Sequence, residues 1–398
     1  MLVFLATVIN YLDRQTLSVV VPTLRDQFHM SNTEYGRVIF AFMLAYTVMN
    51  GASGIIIDQV GTRLGYALFI SWWSIATILH ALASGVWSLG VFRFLLGLGE
   101  AGNWPAGVRV VSEWFPERER ALASGIFNSG SAIGAILAPP VIVWVVIRFG
   151  WPVSFLVVGA SGLVWLLLWC TIYRSPRPVL TPGATIKPCG FCELLRIPFV
   201  LWFTVAKVFI DPAWYFYIFW FPEYLRRARG FDLAAIGTYA WIPFAVAGSG
   251  NLLGGLTSSW LLKLGVPLAT ARNLAVLIFA CLMLSAIPAV FVADARWSVA
   301  LVSVAMAGYT GSTANMLAMP ADVLPPSVCA SVYGIASMGA GFGGMIFAPL
   351  TGWIIDHFSY VSVFAGFGLM PLVCVLLLWT LAGPAARSKS AQQFQIHL

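Results

Sequence analysis

Long apolar stretches separated by short polar breaks run through the whole chain. Most of these stretches approach or exceed the about 20 residues that a helix needs to cross a bilayer. They do not alternate with a period of two, which is the pattern of strands in a membrane barrel. The pattern therefore predicts twelve membrane-spanning helices. Their expected limits are 1–22, 34–57, 66–85, 87–112, 121–147, 151–173, 198–222, 233–262, 270–293, 297–319, 328–355 and 359–382.

The longest polar break, which is rich in Pro, Thr and Lys, divides the predicted helices into six and six. We therefore expect an all-α membrane protein with two six-helix bundles. The first bundle would cover 1–173 and the second 198–382. A cytoplasmic linker at 174–197 would join them, and a cytoplasmic tail would follow at 383–398.

The composition supports a membrane protein. The chain is 60% hydrophobic and 9% charged, whereas a soluble domain carries roughly 25% charged residues. The net charge of +7 does not indicate a nucleic-acid partner, because most Lys and Arg fall in short loops. More of them lie on the side that holds the two termini, so the positive-inside rule places both termini in the cytoplasm.

The two halves of the chain repeat each other. The stretches from 116 to 140 and from 325 to 349 align at a constant offset of 209 residues. The matched pairs are Pro116 and Pro325, Gly125 and Gly334, Gly130 and Gly339, Gly134 and Gly343, and Pro140 and Pro349. Parallel six-helix repeats predict a substrate site near the midplane, between the halves. The glycines also allow close packing of helices, which is the simpler explanation for them.

Ionisable residues interrupt two of the predicted spans. Asp13 and Arg14 lie in the first span, and Arg93 and Glu100 lie in the fourth. Ionised groups in the bilayer interior are costly and usually face a partner or an aqueous pathway. Arg93 and Glu100 are two turns apart on one helix face, so we expect them to pair across helices with Asp13 and Arg14. These charges indicate a transporter that moves an anion together with a cation, with a structural charge network as the alternative.

The sequence contains none of the motifs that mark common catalytic or nucleotide sites. No Walker loop, nucleophile elbow or H-E-x-x-H pattern occurs, and the four histidines are scattered. Cys189 and Cys192 have metal-like spacing, but a structural zinc site needs four ligands, so we expect free thiols. We therefore predict a protein that is not an enzyme, binds no metal and needs no cofactor.

A loop signature follows the second predicted span. Gly54, Asp58, Gly61 and Arg63 form the pattern G-x-x-x-D-x-x-G-x-R, which resembles the loop signature of the major facilitator superfamily. The glycines would allow a tight turn, and Asp58 would cap the next helix and pair with a cytoplasmic arginine. A solvated loop charge is the alternative. The second half lacks the acid and has Ser259 in its place.

Further stretches narrow the resemblance. N-Y-L-D-R-Q-T-L-S, R-F-L-L-G-L-G-E-A, S-E-W-F-P-E-R-E-R-A-L-A-S-G and D-P-A-W are similar to the anion:cation symporter family, and most similar to its bacterial hexuronate transporters. The resemblance covers nearly the whole chain. It implies import of galacturonate and glucuronate with protons across the inner membrane by alternating access, and we expect a monomer.

The resemblance also implies roles for individual residues. Arg14 and Tyr46 match substrate contacts, and Asp13 and Glu100 match protonatable acids that act with Arg93. A guanidinium can grip a carboxylate through two hydrogen bonds, although an ion pair within the bundle or simple packing would also explain these side chains.

Aromatic and polar side chains are candidate partners of a sugar ring and its hydroxyl groups. The former can stack on the ring and the latter can hydrogen-bond it, whereas interfacial anchoring and helix–helix hydrogen bonding remain alternatives. The candidates are Asn128, Ser131, Trp214, Tyr215, Tyr217 and Asn315. Lys207 and Asp211, four residues apart, are expected to pair with each other.

Two other functions stay open at this point. One is a symporter for another carboxylate, such as an aldonate or a dicarboxylate. The other is a membrane sensor that binds the anion without transporting it.

Overall fold

The computed structural model describes residues 1–115, 117–174, 191–324 and 326–382. Every regular element in these ranges is helical, so the predicted all-α class is confirmed. We number the α-helices in chain order. They are α1 (Leu2–Phe28), α2 (Asn32–Val60), α3 (Thr62–Leu79), α4 (Val86–Glu100), α5 (Asn103–Trp114), α6 (Glu117–Phe149), α7 (Trp151–Ile172), α8 (Phe191–Leu195), α9 (Pro198–Arg227), α10 (Leu233–Tyr239), α11 (Ile242–Lys263), α12 (Leu268–Met283), α13 (Ala286–Ala289), α14 (Ala295–Val323), α15 (Pro326–His357) and α16 (Tyr360–Leu377).

Within the described ranges, nine segments are long and apolar enough to cross a membrane. They are Asn32–Ile57, Thr62–Leu82, Ile126–Phe149, Trp151–Ile172, Pro198–Arg227, Leu233–Lys263, Leu268–Ala289, Val332–His357 and Tyr360–Leu381. Three further predicted spans correspond to α1, to the consecutive helices α4 and α5, and to α14. Polar residues in the middle of α1 lower its mean hydropathy, and a turn at Ala101 and Gly102 divides α4 from α5. The helices are thus consistent with twelve spans.

Local sequence signals set several helix ends. At the start of α2, the Ser31 hydroxyl accepts from the backbone N–H of Glu34 at 3.1 Å, and the Glu34 carboxylate accepts from the backbone N–H of Ser31 at 2.8 Å. This reciprocal capping satisfies two of the four free N–H groups at a helix start. At the start of α10, the carboxylate of Asp232 accepts from the backbone N–H of Ala235 at 2.7 Å. Gly61, between α2 and α3, has a φ of 84° that favours glycine.

The repeated glycines occupy equivalent helix contacts in the two halves. A Cβ on Gly134 of α6 would lie 2.5 Å from the backbone oxygen of Val8 in α1. A Cβ on Gly343 of α15 would lie 2.6 Å from the backbone oxygen of Val208 in α9. Both distances are too short for a real side chain, so the absence of Cβ lets each helix pair approach closely. The sequence repeat therefore corresponds to a repeated packing arrangement.

The described residues form two compact units. The first unit consists of the described residues within Met1–Val179, Ile218–Trp241 and Met345–Phe358. The second unit consists of those within Leu180–Tyr217, Ile242–Gly344 and Ser359–Leu398. The helices α9 and α15 each contribute to both units. The division into two six-helix bundles stays a prediction, and the tail at 383–398 lies outside the described residues, as does most of the linker.

In the first unit, buried charges join α1 to the last turns of α9. The carboxylate of Glu223, which is fully buried, accepts hydrogen bonds from Arg25 and, at 3.2 Å, from Nε of Arg227. Asp26 accepts from Nη2 of Arg227 at 2.6 Å. A buried carboxylate is tolerated only when it is paired in this way. The network therefore fixes α1 against the end of α9.

The same end of the first unit carries a second polar contact. Asp356, at the end of α15, accepts from the backbone N–H groups of Asn32 and Thr33 at 3.1 and 2.6 Å. It also accepts from their side chains at 2.7 and 2.6 Å. The start of α2 is thus capped by a carboxylate from a distant part of the chain, where the helix dipole favours negative charge.

Candidate functional site

The first candidate site is built on the middle of α1 and the end of α4, in the first unit. Nε and Nη2 of Arg14 donate to Oε2 of Glu100 at 2.9 and 2.8 Å. Glu100 is fully buried and Arg14 is 2% exposed. Gly97, one turn before Glu100, lies so close to α2 that a Cβ would be 2.5 Å from the backbone oxygen of Phe42. This close packing places the Glu100 carboxylate inside the bundle.

Aromatic rings surround the guanidinium of Arg14. Its central carbon lies 4.8 Å from the ring centroid of Tyr46, 5.2 Å from that of Tyr11 and 5.5 Å from that of Phe42. Cations are attracted to aromatic faces at these distances. Tyr46, predicted as a substrate contact, thus presents its ring face to Arg14 and orients it. The cage holds the donors of Arg14 in a fixed plane, as binding of a carboxylate requires.

Asp13 and Arg93 complete the charged cluster. Arg93 donates from Nη2 to the backbone oxygen of Arg14 at a long distance of 3.4 Å. The side chain of Thr77 adjoins Asp13, but neither oxygen of Asp13 makes a hydrogen bond of good geometry with a described residue. The same holds for Nε and Nη1 of Arg93. The charges of Glu100 and Arg93 act on Asp13 through space. Buried groups in this condition are costly and are typical of a site that exchanges a proton or an anion.

The second candidate site lies on α9 and α14, in the second unit. Nζ of Lys207 contacts Oδ2 of Asp211 at 2.8 Å, as their spacing predicted. The hydroxyl of Tyr309 donates to Oδ1 of Asp211 at 2.8 Å. The ring of Trp214 stacks on Tyr309 with 5.2 Å between centroids, and it meets Phe244 edge-on at 5.9 Å. A buried ion pair and a flat aromatic surface therefore adjoin each other.

The remaining predicted contacts occupy different environments. Tyr215 is half-buried, whereas Tyr217 is 1% exposed. On α6, Asn128 is exposed, and the hydroxyl of Ser131 donates to its backbone oxygen at 2.7 Å. Asn315 is fully buried. The substrate-binding roles of these residues stay predictions.

Asn315 lies at a contact between helices. Its Nδ2 donates to the backbone oxygens of Gly254 and Gly311 at 2.9 and 3.0 Å. The bond to Gly254 joins α14 to α11, and the bond to Gly311 stays within α14. This contact is the structural alternative to substrate binding. Its Oδ1 has no hydrogen bond from a described residue, so only the acceptor of this side chain is available for a ligand.

The loop signature runs from the last turns of α2 to the first turn of α3. Gly54 and Asp58 belong to α2, Arg63 belongs to α3, and only Gly61 lies between the helices, so Gly54 makes no turn. Gly54 has open space around it, and its nearest side-chain atom is 4.0 Å from a built Cβ. Gly61 makes the turn, and Nη2 of Arg63 donates to the backbone oxygen of Cys170 in α7 at 2.6 Å. The side chain of Asp58 lies outside the described residues, so its predicted capping and pairing stay predictions.

Glu113 organises the same end of the first unit and was not singled out in the sequence. Its carboxylate accepts from Thr62 Oγ1 at 2.5 Å, from Arg109 Nε at 3.0 Å and from the Tyr173 hydroxyl at 2.8 Å. These contacts join α3, α5 and the residue that follows α7. The only signal was its position inside the S-E-W-F-P-E-R-E-R stretch. Tyr309 gave no distinct signal, because it is one of several polar residues in α14.

No group of three or more His, Cys, Asp or Glu side chains within metal-binding reach occurs in the described part of the chain. Several apolar helices with buried charges between them are typical of a multi-pass membrane transporter. A sequence profile of the Major Facilitator Superfamily matches residues 3–313 and, in an overlapping second match, residues 272–397. The chain belongs to the Major Facilitator Superfamily, which confirms the predicted family and its twelve-helix fold.

Two relatives are similar over most of the chain. The hexuronate transporter of Escherichia coli K12 is 31% identical over 402 residues, which are 95% of this chain and 92% of the relative. The galacturonate transporter of Dickeya chrysanthemi is 35% identical over 301 residues, which are 71% of this chain and 87% of the relative. Among solved structures, a D-xylose–proton symporter superposes with a TM-score of 0.80 at 16% identity, over 97% of each chain. That likeness concerns the fold alone.

Proposed function

We propose that this protein is a proton-coupled symporter that imports a hexuronate, galacturonate or glucuronate, across the inner membrane by alternating access. It acts as a monomer with both termini in the cytoplasm, and it transports its substrate without chemical change. The observation that carries the proposal is the buried contact between Arg14 and Glu100. The similarity to transporters named for hexuronate and galacturonate supports the choice of anion.

In this mechanism, Glu100 holds Arg14 until a substrate replaces it. A guanidinium binds a carboxylate best through two parallel hydrogen bonds. Protonation of Glu100 removes its negative charge and releases the Arg14 donors, which then bind the carboxylate of the uronate. Loss of the proton from Glu100 restores the internal pair and expels the substrate. Proton and anion are thereby linked, because each favours the same state of Arg14.

Asp13 and Arg93 tune this exchange. Asp13 is a second proton acceptor beside the pair, and Arg93 offsets the negative charge of both acids. In the second unit, Trp214 and Tyr215 are half-buried aromatic residues that offer a stacking surface for the sugar ring. Hydroxyl groups of the ring are partners for Asn128, Ser131, Tyr217 and Asn315.

The test is uptake of labelled galacturonate by purified protein in proteoliposomes. An inward proton gradient should drive accumulation above the external concentration, and a proton ionophore should abolish it. Replacement of the proton gradient by a sodium gradient should give no accumulation. Unlabelled glucuronate should compete, whereas aldonates and dicarboxylates should compete less. Stronger competition by an aldonate or a dicarboxylate would assign another substrate. Binding of the anion without uptake would indicate a sensor.

A further inference from the structure

Lys207, Asp211 and Tyr309 form a polar cluster inside the second unit. The proposed exchange between Glu100 and substrate at Arg14 does not involve this cluster. Lys207 and Asp211 are 7% and 4% exposed, and both belong to α9. Tyr309 reaches the cluster from α14. A buried ion pair contributes little net stability, because removal of both charges from water costs about as much as their attraction returns. Its presence therefore calls for another explanation.

The hydrogen-bonding capacity of the cluster is incompletely used. A carboxylate offers about four acceptor positions, and an ammonium has three donors. Oδ1 of Asp211 accepts from Tyr309, and Oδ2 contacts the ammonium of Lys207 without a hydrogen bond of good geometry. Among the described residues, Lys207 has no second acidic partner. Free donor and acceptor positions thus lie next to each other.

The surroundings of the cluster suit a sugar. Trp214 lies three residues after Asp211, on the same face of α9, and its ring is stacked on that of Tyr309 at an interplanar angle of 15°. Trp214 and Tyr309 are both half-buried. A flat aromatic surface beside paired donors and acceptors fits a polyhydroxylated ring, whose faces are apolar and whose edges carry hydroxyl groups. A hydroxyl group can donate to Asp211 and accept from Lys207 at once.

The charge of the cluster sets a further limit on its ligand. Lys207 and Asp211 cancel each other, so the cluster has no net attraction for a carboxylate. A ligand carboxylate placed at this cluster would lie next to the carboxylate of Asp211. Repulsion between the two negative charges disfavours such a ligand.

We propose that Lys207, Asp211 and Tyr309 bind the hydroxyl groups of the sugar acid and that the neutrality of this cluster selects monocarboxylic over dicarboxylic sugar acids. The inference rests on the proposed function and deepens it, because it names the groups that separate a uronate from the corresponding aldarate.

The experiment compares galacturonate with galactarate, which has the same hydroxyl stereochemistry and a second carboxylate in place of the aldehyde. Affinities are measured by competition against labelled galacturonate, or by calorimetry where its binding is weak, on purified protein. Asp211→Asn removes the acid and leaves the charge of Lys207 uncompensated. We expect galacturonate affinity to fall about tenfold or more, as for loss of a hydrogen bond to a charged group, and galactarate affinity to rise, so that the preference shifts by about 100-fold.

Two further variants separate charge from structure. Tyr309→Phe keeps the ion pair and removes the hydroxyl, which donates to Asp211 and whose oxygen can accept from the sugar. It should weaken galacturonate binding severalfold without any gain for galactarate. The neutral double variant Lys207→Met with Asp211→Asn should lose galacturonate affinity, also without a gain for galactarate. Thermal unfolding of each variant establishes that it is folded. If Asp211→Asn alone does not fold, the double variant decides, and undiminished galacturonate affinity in it overturns the inference.

Each result has one meaning. An equal loss for both ligands in Asp211→Asn would show that the cluster only supports the helices and would overturn the inference. If the wild-type protein binds galacturonate and the variants keep its preference for galacturonate over galactarate, the inference is overturned. The proposed function then still stands. Wild-type protein that binds no sugar acid would overturn the proposed function itself.

Discussion

Arg14 directs two hydrogen bonds, from Nε at 2.9 Å and from Nη2 at 2.8 Å, to the same oxygen of Glu100. The other carboxylate oxygen, Oε1, has no hydrogen-bond partner among the described residues. A carboxylate that offers both oxygens makes a better partner for a guanidinium fork than one that offers a single oxygen. In the proposed mechanism, a uronate therefore displaces Glu100 from Arg14, and the unpartnered Oε1 provides a place for the proton.

Glu100→Gln should separate exchange from accumulation. The amide mimics the protonated acid and cannot release a proton, so the variant should still bind galacturonate and exchange it across the membrane. It should lose uphill uptake driven by a pH gradient, because the return step needs the negative charge. Both properties are measured on one reconstituted preparation, by counterflow and by gradient-driven uptake.

Asp13→Asn tests the second proposed proton acceptor in the same two assays. Asp13 is also buried but has no hydrogen bond to Arg14, so its replacement leaves the Arg14–Glu100 pair intact. Full gradient-driven accumulation by Glu100→Gln would make Glu100 structural and move the coupling role to Asp13 or Asp211.

Arg14→Lys should reduce transport by roughly tenfold or more although the positive charge is kept. An ammonium cannot form two parallel hydrogen bonds to a carboxylate and lacks the flat face that Tyr46 contacts at 4.8 Å. Initial rates of galacturonate uptake are compared at equal amounts of reconstituted protein. Near-normal rates in the Lys variant would show that charge alone suffices and that the fork geometry has no role.

Trp214→Ala should weaken binding of cyclic uronates more than binding of linear aldonates. The indole offers a stacking surface, and only a closed ring presents a flat face to it. Inhibition constants of galacturonate and galactonate are compared in wild-type and variant protein. A comparable loss for both ligands would assign Trp214 to packing against Tyr309 and Phe244.

The sequence predicted the helical class, the family and the charged cluster. The length of the apolar stretches, the order of the motifs and ionisable residues within apolar stretches can all be read directly from the sequence. It also predicted pairing across helices between Asp13 or Arg14 and Arg93 or Glu100, and the structure specifies that Arg14 meets Glu100. Which members of such a set pair depends on helix rotation and side-chain direction, and these are tertiary properties.

Three other residues show where sequence reasoning ends. The ring of Tyr46 lies against the guanidinium of Arg14, and one amide bond of Asn315 joins α14 to α11. Tyr309 joins Asp211 from 98 residues away. Nothing in the linear pattern distinguishes these environments, because each depends on which helix faces which.

The repeated glycines yield a prediction with an internal control. Gly134→Ala would place a Cβ 2.5 Å from a backbone oxygen on the neighbouring helix, and Gly343→Ala would place one at 2.6 Å. Overpacking of this kind costs about 1–3 kcal/mol. Both variants should therefore unfold at a temperature a few degrees lower and transport more slowly. Gly334, the control in α15, has no atom within 4 Å of a built Cβ. Because alanine is the better helix former by up to about 1 kcal/mol, Gly334→Ala should keep or raise the unfolding temperature. Thermal unfolding of the purified variants in one detergent measures all three, and equal unfolding temperatures in all of them would refute the close-packing role.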